Sequence, residues 1–420
     1  MSPGARLAIT GLGARASIAA DPPALAAALR AGRSGLGVRR TPAGDWPGFW
    51  LADTEFAAGR RPDDASWSAR ARRILRGAPP ATAVAAGVAG QALGQALAQA
   101  GFPRPGAEDL ALIVAGNNIH QAYIQATHQR FLERPAYLNP RYALRFVDTG
   151  IVATLSELFD VRGPGFTIGG SAASGNLALY QAAQLLRAGA VSACLCVGPL
   201  ADLGALERQA FIQLGVLNDT PGGCSQPFDQ AHAGFVVGQG SAALMLETLE
   251  HARARGATIL AELSGVAINL DAAQDAAPNP AGEARAMRLA LADAGLEPDA
   301  IDYLNAHGTG TPAGDRAECA AVRALFGSTG RPAINATKAL VGHCLYAAGV
   351  LEAVAVVLQI EHGFLHPNPA LRRPIAADLR FVGPVAEPAA IEHAISNAFS
   401  FGGINSSLVI SRHRPGAAQP

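Results

Sequence analysis

HGTGTP, residues 307–312, lies between a short apolar run, Tyr303 to Ala306, and a segment with helical spacing, Arg316 to Phe326. An apolar run of strand length that stops at a turn rich in Gly and Thr and restarts as a helix is the building unit of an α/β sheet. The same alternation continues on both sides. Upstream are a buried-strand pattern at Ile259 to Ile268 and a helix from about Glu283 to Ala294; downstream is a long apolar helix from about Leu345 to Glu361. In the first half, Leu7 to Thr10 reads as a buried strand breaking at Gly11, and Leu110 to Ala115 as another, ending in Gly116-Asn117-Asn118. Leu177, Tyr180, Ala183, Gln184 and Ala188 fall on one helical face between Gly175 and Gly189, and Val191 to Val197 follows as a strand. Strands alternating with helices imply sheets covered on both faces. The charged helix end Glu247 to Arg255 marks a boundary between two halves, 1–250 and 251–412, and the Pro-, Gly- and Ala-rich tail, 413–420, is expected to be disordered.

Half the residues are hydrophobic, 16% are charged, and 33 basic residues balance 33 acidic ones, the composition of a compact enzyme rather than of a disordered or nucleic-acid-binding chain. Cys194, Cys196, Cys224, Cys319 and Cys344 form no C-x-x-C pair and no zinc spacing, so no metal is expected and a reducing cytoplasm is the natural compartment. The N-terminus lacks the basic start and long apolar middle of a signal peptide. No stretch of eighteen charge-free apolar residues occurs, so no membrane span is expected.

Three patterns imitate other chemistries. GLGARA at 11–16 mimics a dinucleotide fingerprint, but no helix-forming run follows it. GGSAA at 169–173 resembles a hydrolase elbow with Ser171 as nucleophile, a minor alternative, since the later acid and histidine such an enzyme needs have no local support. His362 and His366 have the spacing of helical metal ligands, yet Gly363 and Pro367 argue for loop histidines.

Three segments carry too much Gly, His, Thr and Asn for ordinary core: 307–312, 338–349 and 397–405. Each reads as a loop following a strand, and sites in α/β sheets gather at the carboxyl ends of strands. Convergence of these loops would bring His307 and His343 to one substrate atom.

With these segments on the page, the sequence resembles the β-ketoacyl synthase family over nearly its whole length. The resemblance is carried by HGTGTPAGDRAE at 307–318, NATKALVGHCLYAAG at 335–349, NAFSFGGIN at 397–405, ITGLG at 9–13, GRSGL at 32–36 and QPFDQAHAGFVVGQGSA at 226–242. It implies a thiolase-like duplicated five-layer α-β-α-β-α fold. It further implies that Thr309 and Thr311 hydrogen-bond a phosphopantetheine arm, that Phe401 and Gly402 shape the entrance and give backbone contacts, and that Lys338 and Glu318 form a buried pair holding the histidine loops.

The family's nucleophile loop corresponds to GPGFTIGGSAASGN, 163–176, and its cysteine position to Ala172, with Ser171 one place early. Alanine cannot form an acyl-enzyme, so condensation loses its first half. Loss of CO₂ from a malonyl thioester remains open, with His307 and His343 as N–H donors to the enolate oxygen. GGSAASGN at 169–176, GPLADLGALERQAFIQLGVL at 198–217, Gly238-Gln239 and GNN at 116–118 resemble the decarboxylating ketosynthase homologues of hydroxymethylglutaryl-synthase cassettes. Those proteins make acetyl-carrier protein from malonyl-carrier protein for β-branching in polyketide pathways. The resemblance implies an acyl carrier protein as partner, a homodimer formed around the nucleophile-bearing half, other β-branching enzymes nearby, and no cofactor beyond the carrier's own arm. Arg70, Arg72, Arg73 and Arg76 form a basic cluster on a predicted helix, either a dock for an acidic carrier or a solvated face. Two other functions stay open: a condensing synthase whose residue 172 was replaced, and a non-catalytic partner subunit.

Overall fold

β1 (Leu7–Ala16) is buried along its whole length, as a strand between two layers must be. It belongs to a computed structural model that describes residues 5–41, 44–51, 67–98, 108–220, 223–328 and 331–415. Nine further strands join it: β2 (Leu110–Ala115), β3 (Gly165–Ile168), β4 (Ala193–Gly198), β5 (Gly240–Thr248), β6 (Ala261–Leu270), β7 (Tyr303–Asn305), β8 (Ala333–Asn335), β9 (His393–Ser400) and β10 (Ile404–Ser411). Their order across the sheet is β8-β7-β9-β10-β6-β1-β5-β4-β2-β3. Read outward from the centre, each half runs first, fifth, fourth, second, third, and the strand directions match as well. The chain is therefore a structural duplication. The halves join where β1 pairs antiparallel with β6, Leu7 to Leu263, Ala8 to Glu262 and Ile9 to Ala261.

Helices complete five layers, as the resemblance implies. α1 (Pro80–Ala98) covers the outer face of the first half; α3 (Pro280–Ala294) and α4 (Pro312–Phe326) cover that of the second. α2 (Ser174–Arg187) and α5 (Ala348–His362) lie between the two halves of the sheet and share one core with both. α5 is buried on every side from Ala348 to Ile360, the pattern of a helix with no solvent face. The run Leu345–His362 is long and apolar enough to cross a membrane, but it is 83% buried inside the protein. α2 and α5 approach through glycines: a Cβ on Gly175 would lie 2.8 Å from Gly349 Cα.

One expected boundary is corrected. β1 does not break at Gly11; it shifts register between Ile9 and Gly11 and continues to Ala16, so the GLGARA look-alike is strand throughout. The glycines are there because α1 lies on them: a Cβ would sit 2.1 Å from Ala92 O at Gly11 and 1.9 Å from Val88 O at Gly13. Gly13→Ala should therefore destabilise the protein by about 1–3 kcal/mol, the usual cost of overpacking. Urea denaturation measures it, and an unchanged midpoint would contradict this packing.

Helix starts also move upstream. α3 opens at Pro280, capped by the Asn279 side chain, and α4 at Pro312, since proline suits a first helical turn. His362 is the last residue of α5, a correction to its reading as a loop residue, and Gly363 at φ +66° ends the helix. His366 lies beyond it, fully buried, with Nε2 3.1 Å from Thr337 Oγ1. The four arginines occupy a short helix, Ala69–Leu75, and its C-cap, all exposed. Residues 416–420 of the tail lie outside the described residues.

Candidate active site

Between β3 and α2 the chain makes a tight helical turn, Ser171–Ala173. Ser171 takes φ +50°, a conformation that costs a non-glycine residue roughly 1–3 kcal/mol and persists only when the surroundings fix it. The surroundings do so: Ser174 Oγ accepts from Gly170 N at 2.8 Å and donates to Ser171 O at 2.7 Å, while Ser400 Oγ donates to Gly170 O at 2.9 Å. Ala172 is thereby held just before the N-terminus of α2 with its methyl on a cavity wall. The equivalent turn of the second half, between β8 and α5, is Leu345–Ala347, where Leu345 has φ +49°.

The loop after β7 is shaped by two buried carboxylates of α4. Glu318 accepts from His307 N and Gly308 N, each at 2.8 Å, and from Asn397 Nδ2 at 3.1 Å. Burial pushes its carboxyl up to about 7 despite those donors. Asp315 takes Gly310 N at 3.0 Å, Phe228 N at 2.7 Å and the His232 ring at 2.8 Å. The Thr309 and Thr311 hydroxyls face each other at 2.8 Å.

The third loop contains the main correction to the sequence reading. Lys338 does not pair with Glu318. Its Nζ donates to Glu352 Oε1 at 2.5 Å, with the two side chains 1% and 2% exposed. Glu318 is already saturated by N–H donors, whereas Glu352, one buried carboxylate in an apolar helix, needs a cation. The Lys338 ammonium also lies 3.4 Å from His307 Nδ1.

These contacts fix the protonation of both histidines. Lysine offers only N–H, so His307 Nδ1 is the acceptor; Leu345 N donates to His343 Nδ1 at 3.1 Å, so that nitrogen accepts as well. Burial and the Lys338 charge hold both rings well below the ordinary histidine range, so both are neutral at pH 7 with the hydrogen on Nε2. The ring centroids are 5.6 Å apart, with planes at 85°. His343 is further fixed to the first half by His343 N to Val236 O at 2.8 Å and by an edge-to-face contact with Phe235, ring centroids 5.2 Å apart.

Ser171, Ala172, His307, Thr309, Thr311, Glu318, His343 and Phe401 line one cavity of about 420 Å³. Phe401 stands at its side 36% exposed, its ring 6.4 Å from that of Phe211. Gly402, at φ +78°, is not on the wall; its neighbour Gly403 is. Lys338 lies behind the wall. Sequence reading missed Glu352, whose signal was a carboxylate isolated in the apolar run 345–360. It also missed Glu283, a buried acid on the same wall.

The family model described as "Beta-ketoacyl synthase, N-terminal domain" matches residues 5–252, and "Beta-ketoacyl synthase, C-terminal domain" matches residues 260–372. The polyketide biosynthesis malonyl-ACP decarboxylase PksF of Bacillus subtilis (strain 168) is 36% identical over 306 residues, 72% of this chain and 73% of PksF. Among solved structures, the ishigamide ketosynthase/chain length factor superposes with a TM-score of 0.85 at 29% identity, covering 98% of this chain and 100% of that one. A beta-ketoacyl synthase from Burkholderia phymatum STM815 gives 0.85 at 30% identity over the same shares.

Proposed function

The chain belongs to the β-ketoacyl synthase family, and from that premise we propose that it is a malonyl-carrier-protein decarboxylase that supplies acetyl-carrier protein for β-branching in polyketide assembly. The observation that carries this reading is two neutral imidazoles, each with its hydrogen on Nε2, sharing a cavity with a methyl where the family has a thiol. Breaking the bond to CO₂ drives charge onto the thioester oxygen. Two N–H groups set in place beforehand lower that barrier without reorganising. Thr309 and Thr311 would take the amides of the pantetheine arm, and Phe401 with the backbone at Gly403 would shape its entry. Ala172 has no lone pair to acylate, so the first substrate of a condensation has nowhere to be held. The likeness to the malonyl-ACP decarboxylase PksF supports the same choice.

The carrier docks, in this reading, on the basic helix bearing Arg70, Arg72, Arg73 and Arg76, whose exposed charges suit an acidic partner. A homodimer through the first half is proposed with it, supported by β3, the terminal strand of the sheet, whose outer edge is unpaired among the described residues. The five free cysteines suit a reducing cytoplasm.

The test is to incubate the protein with malonyl-carrier protein and weigh the carrier: loss of CO₂ is expected, and an unchanged mass beside a working decarboxylase rejects the reading. The missing thiol also favours a second reading, a partner subunit without turnover, which predicts carrier binding and no mass change. Ala172→Cys should become acylated by an acyl-carrier protein, because a thiolate there gains the N-terminus of α2. Intact-protein mass spectrometry reads the adduct, and its absence would contradict the placement of residue 172 at the nucleophile position.

A further inference from the structure

Glu283 lies in the first turn of α3, is 2% exposed, and lines the cavity that holds His307, His343 and Ala172. Its Oε2 is buried without a hydrogen-bond partner. An unsatisfied buried oxygen costs about 1–3 kcal/mol, so its presence on a reaction cavity calls for a reason. The charged groups acting on it from the packed elements are all acids: Glu318 and Asp315 from α4, and Asp271 just past β6. β9 and β10 contribute the neutral Asn397 and Asn405, and Arg285 and Arg288 of α3 itself point outward, exposed. Burial first, then those carboxylates, push the Glu283 carboxyl well above its ordinary range, which favours its protonated form.

Decarboxylation has a second requirement besides the oxyanion donors. After CO₂ leaves, the α-carbon of the enolate must receive a proton. Neutral imidazole N–H groups are weak acids and are occupied by the enolate oxygen. The Thr309 and Thr311 hydroxyls engage each other, and both oxygens of Glu318 already accept from N–H groups. Glu283 brings to the same wall a carboxyl whose Oε2 no hydrogen bond engages. We propose that Glu283 is the general acid that protonates the α-carbon of the enolate.

The step balances. The malonyl C–C bond breaks and its electron pair becomes the enolate double bond; the Glu283 O–H bond then breaks, that double bond forms the new C–H bond, and the enolate oxygen returns to a carbonyl. The Glu283 carboxylate regains its proton from water through the cavity mouth.

This inference rests on the decarboxylase reading, and its test separates the two. Glu283→Gln keeps the shape and removes the acid. Acetyl formation from malonyl-carrier protein should fall by roughly 10²-fold or more, the usual contribution of a general acid. A second measurement runs the step backwards: in D₂O the wild-type protein should exchange deuterium into the acetyl group of acetyl-carrier protein, and the Gln variant should not. Wild-type rate and exchange in Glu283→Gln overturn the assignment while leaving the decarboxylase reading intact. A wild-type protein that releases no CO₂ yet exchanges through Glu283 would sink the decarboxylase reading alone. Circular dichroism checks the fold of the Gln variant. If it fails to fold, Glu283→Asp, shorter by one methylene, should exchange at least tenfold more slowly, and an undiminished rate would overturn the proposal.

Discussion

Replacing His343 with alanine should slow the loss of CO₂ from malonyl-carrier protein by roughly 10²–10³-fold, the cost of removing one donor from an oxyanion site. The effect should fall on kcat. Its Nδ1 is held by Leu345 N, which leaves Nε2–H as the donor for the enolate oxygen in the proposed reaction. A group that binds ground state and transition state equally would raise KM instead. His343 is the cleaner choice of the two rings because His307 shares its Nδ1 with the ammonium of Lys338. Steady-state assays of acetyl-carrier protein by mass spectrometry read the outcome, and a variant that keeps its full rate removes the oxyanion assignment.

Lys338→Met carries the largest expected change in stability, a loss of about 3–5 kcal/mol, because it leaves Glu352 buried without its cation. Both partners are almost wholly excluded from solvent, so water cannot take over the lost contact. The double variant Lys338→Met, Glu352→Leu should recover most of that loss, since an apolar pair of similar volume often equals or exceeds a buried ion pair. It should not recover activity, because His307 Nδ1 would still lack the donor that sets its tautomer. Equilibrium unfolding in guanidinium checks both variants. A single variant as stable as the parent would show that the pair is dispensable.

The parts of this protein legible in its sequence are those where local composition is strange. Gly308, Gly310 and Gly342 with their histidines stand out because few cores tolerate such residues, and the positive φ at each shows why they are there. The alternation of apolar runs and helical spacing located β2, α2 and β7 to within about two residues, because periodicity reports which face is buried. Gly11 misled for a reason of geometry. A glycine in a strand reads as a break, and only the backbone of α1 above it shows that it marks a close approach instead. The partner of Lys338 was hidden differently. Glu318 and Glu352 are both buried acids on helices, and nothing linear says that one is claimed by backbone N–H groups and the other left for the lysine.

The joint between β1 and β6 has a final consequence. Ala172 hangs from one copy of the duplicated unit and both imidazoles from the other, and the two are set against each other by the ladder of Leu7 to Ile9 against Ala261 to Leu263, by the packing of α2 on α5 and by the bond from His343 N to Val236 O. A slip of a single residue there would move the units by about 3.3 Å, farther than any hydrogen bond can stretch. Reactivity is thus a matter of alignment between two castings of the same mould: a drift that spared every named side chain could yield a well-folded protein with nothing in focus.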